Sequence, residues 1–191
     1  MSVANSNYAR VDGDKYFTPA WTTEALLSVE RFVKACDPAA GDGAIVDVLL
    51  AAGIKAWGAD IAPDAPHIVE RDFFDCTDLD GFDVIGNPPY GPGSRLAVRF
   101  IEHALKLTER HGGKVSMLLK VGFDSAPGRA RLFRDHPAFA AEHRLVKRIS
   151  WANLPPKYDA KGNLMGPTEH HSWFTWDWRK RGGPAVKGYL P

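Results

Sequence analysis

Apolar positions follow two rhythms along this chain. From about Trp21 to Lys34, Ala25, Leu26, Val29, Phe32 and Val33 fall at helical spacing, with Thr22 or Thr23 as the cap. A short apolar run ending in Ala35-Cys36-Asp37 reads as a buried strand. After a turn over Pro38–Gly43, Ala44–Ala52 reads as a helix stopped by Gly53. Strands are predicted at Ile54–Asp60, more weakly at His67–Glu70, and at Phe82–Gly86. Ser94–Arg110 carries Leu96, Phe100, Ile101, Ala104 and Leu105 on one helical face, and Gly112-Gly113 ends it. Lys114–Val121 is a continuous apolar strand, followed by a short helix near Gly128–Arg134. His143–Trp151 and His171–Trp178 complete the strands, joined by the Pro/Gly/Lys-rich stretch Asn153–Glu169. Strand and helix alternate through residue 121, which predicts a mostly parallel α/β sheet with helices on both faces. The last two strands have no helix between them and suit an antiparallel end.

Composition fits one soluble domain. The 191 residues are 45% apolar and 25% charged. No stretch approaches the roughly 20 apolar residues of a membrane span. Residues 1–14 are polar, lack the apolar segment of a signal peptide and read as a loose tail. Residues 15–181 form the domain and 182–191 a C-terminal tail. Cys36 and Cys76 form no CxxC pattern, and His170 and His171 point to opposite faces of a strand, so no metal is expected. A cytoplasmic location follows from these features. The net charge of +1 hides an asymmetry: residues 37–90 hold 11 acids and 2 bases, whereas residues 91–150 hold 12 bases and 5 acids. The first half suits a cationic or hydroxyl-rich small molecule and the second a polyanion.

Ligands of open α/β sheets bind beyond the carboxyl ends of the strands. Three loops there carry suitable groups. Asp37-Pro38-Ala39-Ala40-Gly41-Asp42-Gly43 leaves a strand and enters a helix, and its glycines allow close backbone approach. Asp60, followed by Ile61, ends the next strand, 19 residues after Gly41. A carboxylate there can accept both ribose hydroxyls of a nucleoside. Asp72 can accept from an adenine amino group while Phe73 packs on the ring. The glycine loop lacks the G-x-G-x-x-G that cradles a pyrophosphate, and the acidic surroundings favour a sulfonium and an ammonium. S-adenosylmethionine is therefore expected rather than a nicotinamide dinucleotide.

Asn87-Pro88-Pro89-Tyr90 follows the strand Phe82–Gly86 directly. Two prolines fix the backbone and hold Asn87 extended. The Asn87 side-chain oxygen and a prolyl carbonyl can accept both hydrogens of one planar amine, whose lone pair is otherwise delocalised. Tyr90 is expected to stack on the base. No strong general base is needed, because the proton becomes acidic only after transfer.

Together these residues resemble the gamma-class DNA adenine-N6 methyltransferases. Asp37–Gly43 looks like that family's D-P-x-x-G-x-G motif, Asp60 its ribose acid, Asp72-Phe73 its adenine pair and Asn87–Tyr90 its catalytic motif. Tyr16-Phe17-Thr18-Pro19 resembles the F-x-T-P element, so the resemblance places Tyr16, Thr18 and Pro19 over the methionine moiety. It implies the class I, Rossmann-like methyltransferase fold, with seven strands and the last inserted antiparallel. It also implies DNA, duplex or single-stranded, as the partner. No separate target-recognition domain is evident, so either sequence specificity is low or it falls to another subunit or to the loops Gly91–Arg95 and Asn153–Glu169. Arg95, Arg129, Lys157 and Lys161 are the candidate phosphate contacts. Alternatives are an RNA base, a protein glutamine amide reached by the same chemistry, and a non-catalytic binding module.

Overall fold

The structure, a computed structural model, describes residues 15–151 and 153–191. The chain runs α1 (Ala20–Val29), β1 (Lys34–Asp37), α2 (Ala44–Ala51), β2 (Lys55–Asp60), β3 (Val69–Glu70), β4 (Asp83–Gly86), α3 (Arg95–Glu109) and β5 (Lys114–Lys120). It continues through β6 (Phe139–Leu145), β7 (Lys157–Tyr158), β8 (Leu164–Met165), β9 (His171–Asp177) and β10 (Val186–Leu190).

One sheet organises the described residues, in the order β10-β6-β9-β5-β4-β1-β2-β3. Strands β3, β2, β1, β4 and β5 pair parallel, and β9 runs antiparallel between β5 and β6. Seven of these strands match the expected sheet, with β9 as the inserted antiparallel strand.

β5 is central because its residues bury both faces. Val115, Met117 and Leu119 join the core under α3, built on Phe100, Ile101, Ala104 and Leu105. Leu118 joins the opposite core, with Leu26 of α1, Leu49 of α2 and Trp173 of β9. That period of two places an apolar layer on each side of the sheet.

Five expectations need correction. α1 ends at Val29, and Val29 and Val33 are 47% and 86% exposed. The helical spacing breaks because Glu30 turns inward to meet Lys114 at 2.5 Å. Lys114 also donates to the Arg31 carbonyl and lies 4.8 Å from the Phe32 ring, which draws Phe32 into the core and Val33 out. The strand expected at His143–Trp151 is Phe139–Leu145, since small Ala140 and Ala141 allow a bulged pairing with β9. The short helix near Gly128–Arg134 is a 3-10 turn over Pro127–Leu132. The Asn153–Glu169 connection contains the hairpin β7–β8, whose turn is held by Asp159 accepting from Lys161 and Asn163 backbone N–H groups. Finally, residues 182–191 are more than a tail. Val186–Leu190 pairs parallel with β6, Leu190 is buried in the α1-side core, and Lys187 reaches Glu142 at 3.0 Å.

The Glu30–Lys114 pair is buried on both sides. Glu30→Ala strands the ammonium of Lys114 without its partner. The expected cost is about 3–5 kcal/mol, read as a lower urea midpoint with unchanged denaturant slope. Replacing both residues by apolar ones of similar size should recover most of that loss.

Candidate active site

The carboxyl ends of β1, β2 and β4 open onto a cavity of about 490 Å3, within the roughly 300–1,000 Å3 usual for small-molecule sites. The β1–α2 loop supplies Asp37, Pro38, Ala39, Gly41 and Asp42. Asp60, Ile61 and Ala62 follow β2, and Asp72, Phe73 and Phe74 come from the next strand end. Asn87 and Pro89 follow β4, and a strap of Lys15, Tyr16, Phe17 and Thr18 crosses from the N-terminal side.

The Asp60 carboxylate organises the first wall. One oxygen accepts the Gly41 N–H and the other the Ala62 N–H, each at 2.9 Å. Each oxygen keeps a second acceptor position, so the group can still take two hydroxyl donors. Gly43 has φ +84° and begins α2; a Cβ there would lie 2.4 Å from His67 Nε2. It shapes the loop rather than lining the cavity. Asp37 lies beneath the loop, 1% exposed, accepting the Ala39 N–H at 3.0 Å. Burial pushes its carboxyl up to about 7, against the opposing pull of the Ala39 N–H.

Asp72 caps a 3-10 turn over Phe73–Asp75 by accepting the Phe74 N–H at 2.9 Å. Phe73 touches the cavity but is chiefly a core residue, 5.3 Å from Phe100 and 4.8 Å from the His103 ring. Phe74 is less buried and carries the Arg99 guanidinium 4.3 Å above its ring. Arg99, Arg71 and Lys15 also line the cavity, so its four aspartates are more nearly balanced than the local sequence charge suggests.

Asn87 meets the strap. Its Nδ2 donates to the Tyr16 carbonyl at 3.3 Å and to Thr18 Oγ1 at 3.2 Å. A carbonyl can only accept, so this contact fixes which end of the amide is nitrogen. Oδ1 is then the atom that Asn87 offers a ligand. Thr18 and Tyr16 thus hold Asn87 as well as lining the cavity wall. Pro19 precedes α1 and lies outside the wall, and Pro88 is buried.

Tyr90 stands apart from the cavity. Its hydroxyl accepts the Lys120 N–H at 2.7 Å, its ring is 5.9 Å from Phe123, and Lys120 Nζ lies 5.6 Å from the ring. Its carbonyl accepts from Leu96 and Ala97 at the start of α3. The ring is therefore pinned to the end of β5, next to the motif.

The four candidate phosphate contacts lie on three segments. Arg95 is exposed at the start of α3. Arg129 sits 3.9 Å above Phe123 and donates to its carbonyl at 2.8 Å. Lys157 and Lys161 belong to the β7–β8 hairpin and its turn. Much of the basic excess in residues 91–150 is consumed internally: Arg131 pairs with Glu102, Arg134 with Asp135, Arg144 with Glu142 and Lys120 with Glu169.

Sequence reasoning missed Asn153. Its Oδ1 accepts the Phe17 N–H at 3.1 Å and its Nδ2 donates to the Lys15 carbonyl at 2.9 Å. An asparagine in a polar loop leaves no periodic signal. Among the described residues no cluster of three or more His, Cys, Asp or Glu is placed to hold a metal ion, and no helix is long and apolar enough to cross a membrane. His171 is buried and held down to about 3 by desolvation and nearby Lys120.

No protein-family model and no curated protein matches the sequence. Solved structures do. A candidate RNA methyltransferase from Pyrococcus horikoshii superposes with a TM-score of 0.58 at 16% identity, over 92% of this chain and 90% of its own. A candidate class I S-adenosylmethionine-dependent methyltransferase from Listeria monocytogenes gives 0.55 at 14% identity, over 90% of this chain. This chain spans 62% of the length of that Listeria protein. The 23S rRNA methyltransferase ErmE gives 0.52 at 14% identity, over 91% of this chain and 73% of its own. The fold is that of the class I methyltransferases.

The site fits the S-adenosylmethionine expected from sequence: the cavity is large enough, and Asp60 keeps acceptor capacity at the end of β2. Asp60→Ala should weaken its binding by about 1.5–3 kcal/mol, the range for hydrogen bonds to a charged group, read by titration calorimetry; unchanged affinity would remove Asp60 from the site.

Asp37 gives a second test. Its carboxyl rises from 3.8 to about 7 on folding, so the folded protein holds a proton that the unfolded chain releases. Its contribution to stability is complete below the lower value and is lost as pH climbs through the upper one. Urea midpoints of Asp37→Asn should fall less between pH 5 and pH 8 than those of the wild type.

Proposed function

We propose that this chain is an S-adenosylmethionine-dependent methyltransferase acting on the exocyclic N6 amine of adenine in a nucleic acid, with RNA ahead of DNA. The observation that carries the chemistry is the Asn87 amide, whose nitrogen is committed to Tyr16 and Thr18 and whose oxygen remains for substrate.

S-adenosylmethionine, when bound, supplies an electrophilic methyl group on a sulfonium. Asp60 would hold its ribose hydroxyls, Asp72 would accept from its adenine amine, and the Asp37–Gly43 loop with Tyr16 and Thr18 would enclose the rest. Asn87 Oδ1 and a carbonyl of the Pro88-Pro89 pair accept the two N–H bonds of the target amine. That grip draws the nitrogen lone pair out of conjugation with the ring and fixes its direction. The fixed carbonyls need no reorganisation as charge develops. The amine proton leaves to water once the methylated nitrogen carries a positive charge, so no buried base is required. Tyr90, held against Phe123 and Lys120, offers an aromatic surface beside the motif for the base.

The order of motifs favours DNA adenine, as the sequence resemblance implies. Two of the structural neighbours are named for RNA, one of them for 23S rRNA, which favours RNA. An adenine stacked in a duplex must be flipped out at a cost of a few kcal/mol, whereas a loop or single strand presents it already unstacked. RNA loops are accordingly the first substrate to test and DNA the second.

Incubation with radiolabelled S-adenosylmethionine and, separately, ribosomal RNA, transfer RNA, single-stranded DNA, duplex DNA and a glutamine-bearing protein decides the substrate. Label should enter RNA, or DNA in the second reading, and digestion should release N6-methyladenosine or its deoxy form. Label confined to protein would overturn the proposal. Asn87→Ala should lower turnover by roughly 10²–10³-fold, as for loss of a fixed transition-state contact, while cofactor affinity stays within a few-fold.

A further inference from the structure

Asn153 reaches the site from a part of the chain distant in sequence, in the β6–β9 connection. Its carboxamide reads the strap from both sides: it accepts from Phe17 N–H at 3.1 Å and donates to the Lys15 carbonyl at 2.9 Å. Residues two apart on an extended segment present these groups on the same edge, so one amide replaces a β-bridge. A carboxamide offers the donor and the acceptor together at any pH, whereas an ionised carboxylate offers acceptors alone. Tyr16, the residue between those two contacts, gives its carbonyl to Asn87 Nδ2.

The strap is fastened at several points. Lys15 Nζ crosses to the Ala62 carbonyl and to Asp64, the latter at 2.7 Å. The Tyr16 ring lies 5.4 Å from Trp151, which meets His171 edge-on at 5.3 Å. Thr18 Oγ1 is the second acceptor for Asn87. Ring packing and the Lys15 ion pair hold the strap near the cavity, but neither sets the direction of the Tyr16 carbonyl. The two backbone contacts of Asn153 flank that peptide and set it.

We propose that Asn153 is a positioning residue for methyl transfer: by bridging the backbone of Lys15 and Phe17 it aims the Tyr16 carbonyl at Asn87 Nδ2 and so turns Asn87 Oδ1 toward the substrate amine. The inference rests on the reading of Asn87 as the amide that holds the amine. Asn153 touches neither substrate nor cofactor in this role. It acts on the reaction through two intervening contacts.

The test combines turnover with a readout that does not need it. In the full chain, Asn153→Ala should lower kcat by about tenfold to 10²-fold, the scale of a misaligned reacting group, with KM for the nucleic acid within threefold and core methyl resonances unchanged. The Asn87 side-chain NH2 resonances should move toward solvent-exposed values, and the Phe17 amide should lose exchange protection. Asn153→Asp supplies two acceptors, one of them facing the Lys15 carbonyl, and should be as impaired as the alanine variant at pH 8. Protonation restores a donor, so its rate relative to wild type should climb as pH falls toward 5, whereas that of Asn153→Ala stays flat. If Asn87 resonances and Phe17 exchange are unchanged in Asn153→Ala, or if kcat stays within twofold of wild type, the proposal is overturned. A wild-type protein inactive on every substrate counts against the proposed function instead, and the resonance and exchange measurements then decide the role of Asn153 alone.

Discussion

The contact between the Tyr16 carbonyl and Asn87 Nδ2 is the constraint on which the site turns. An asparagine side chain is nearly symmetric in shape and opposite in chemistry at its two ends. Left to itself it would present a donor or an acceptor to the cavity, and only the acceptor can hold an amine. A backbone carbonyl has no such choice, and placing one beside the amide removes the ambiguity. The prolines at 88 and 89 fix the backbone that carries Asn87, but they cannot orient the side chain. Orientation comes from the strap, some 70 residues earlier in the sequence.

Electrostatics around the cavity follows the same division between local and distant groups. The run of acids in residues 37–90 includes Asp37, Asp42, Asp60 and Asp72, all of which reach the cavity. Their oxygens are largely committed to backbone N–H groups of their own loops. They build the loops before they meet a ligand. Asp37 goes furthest, buried enough that its proton is held to near neutrality. Arg71 sits beside Asp72 in the same run, and Lys15 and Arg99 bring further positive charge to the same walls from other segments. Counting charges over residues 37–90 records the acids and misses Lys15 and Arg99, because the window is local and the cavity is not.

That difference also describes how far the fold and the site could be read from the sequence. Strands buried on both faces, such as Lys114–Lys120, announce themselves as unbroken apolar runs, and the amphipathic Arg95–Glu109 shows a clear stripe. The positions of Asp60 and the Asp37–Asp42 loop at the cavity are legible because both sit at strand ends. The errors share a cause: a long-range partner decided the local structure. Glu30 ends α1 early to meet Lys114, and β10 forms because β6 offers an edge and the core a place for Leu190. Phe73 and Phe74 are adjacent and equally apolar, yet the former is buried against Phe100 and His103 and the latter lies under Arg99. Asn153 was invisible for the same reason, since its meaning lies entirely in the backbone it touches.

The way the strap is fastened bears on how such a cavity can fill. A strand in the sheet is held by a ladder of backbone hydrogen bonds and by apolar burial on two faces, as β5 is. Lys15–Thr18 has neither. Its polar attachments include the side chains of Asn153, Asn87 and Asp64 and the reach of Lys15 Nζ to the Ala62 carbonyl. Contacts of this kind contribute about 0.5–1.5 kcal/mol each, and the Tyr16–Trp151 ring contact adds to them, so lifting the strap costs several kcal/mol, less than displacing a strand. A wall of the cavity that can open at that cost is compatible with ligand exchange on an ordinary timescale. The same contacts, when closed, return the Tyr16 carbonyl to Asn87. Enclosing a ligand and orienting the Asn87 amide are then one event rather than two, because the peptide beside the cavity is also the one that accepts from the asparagine.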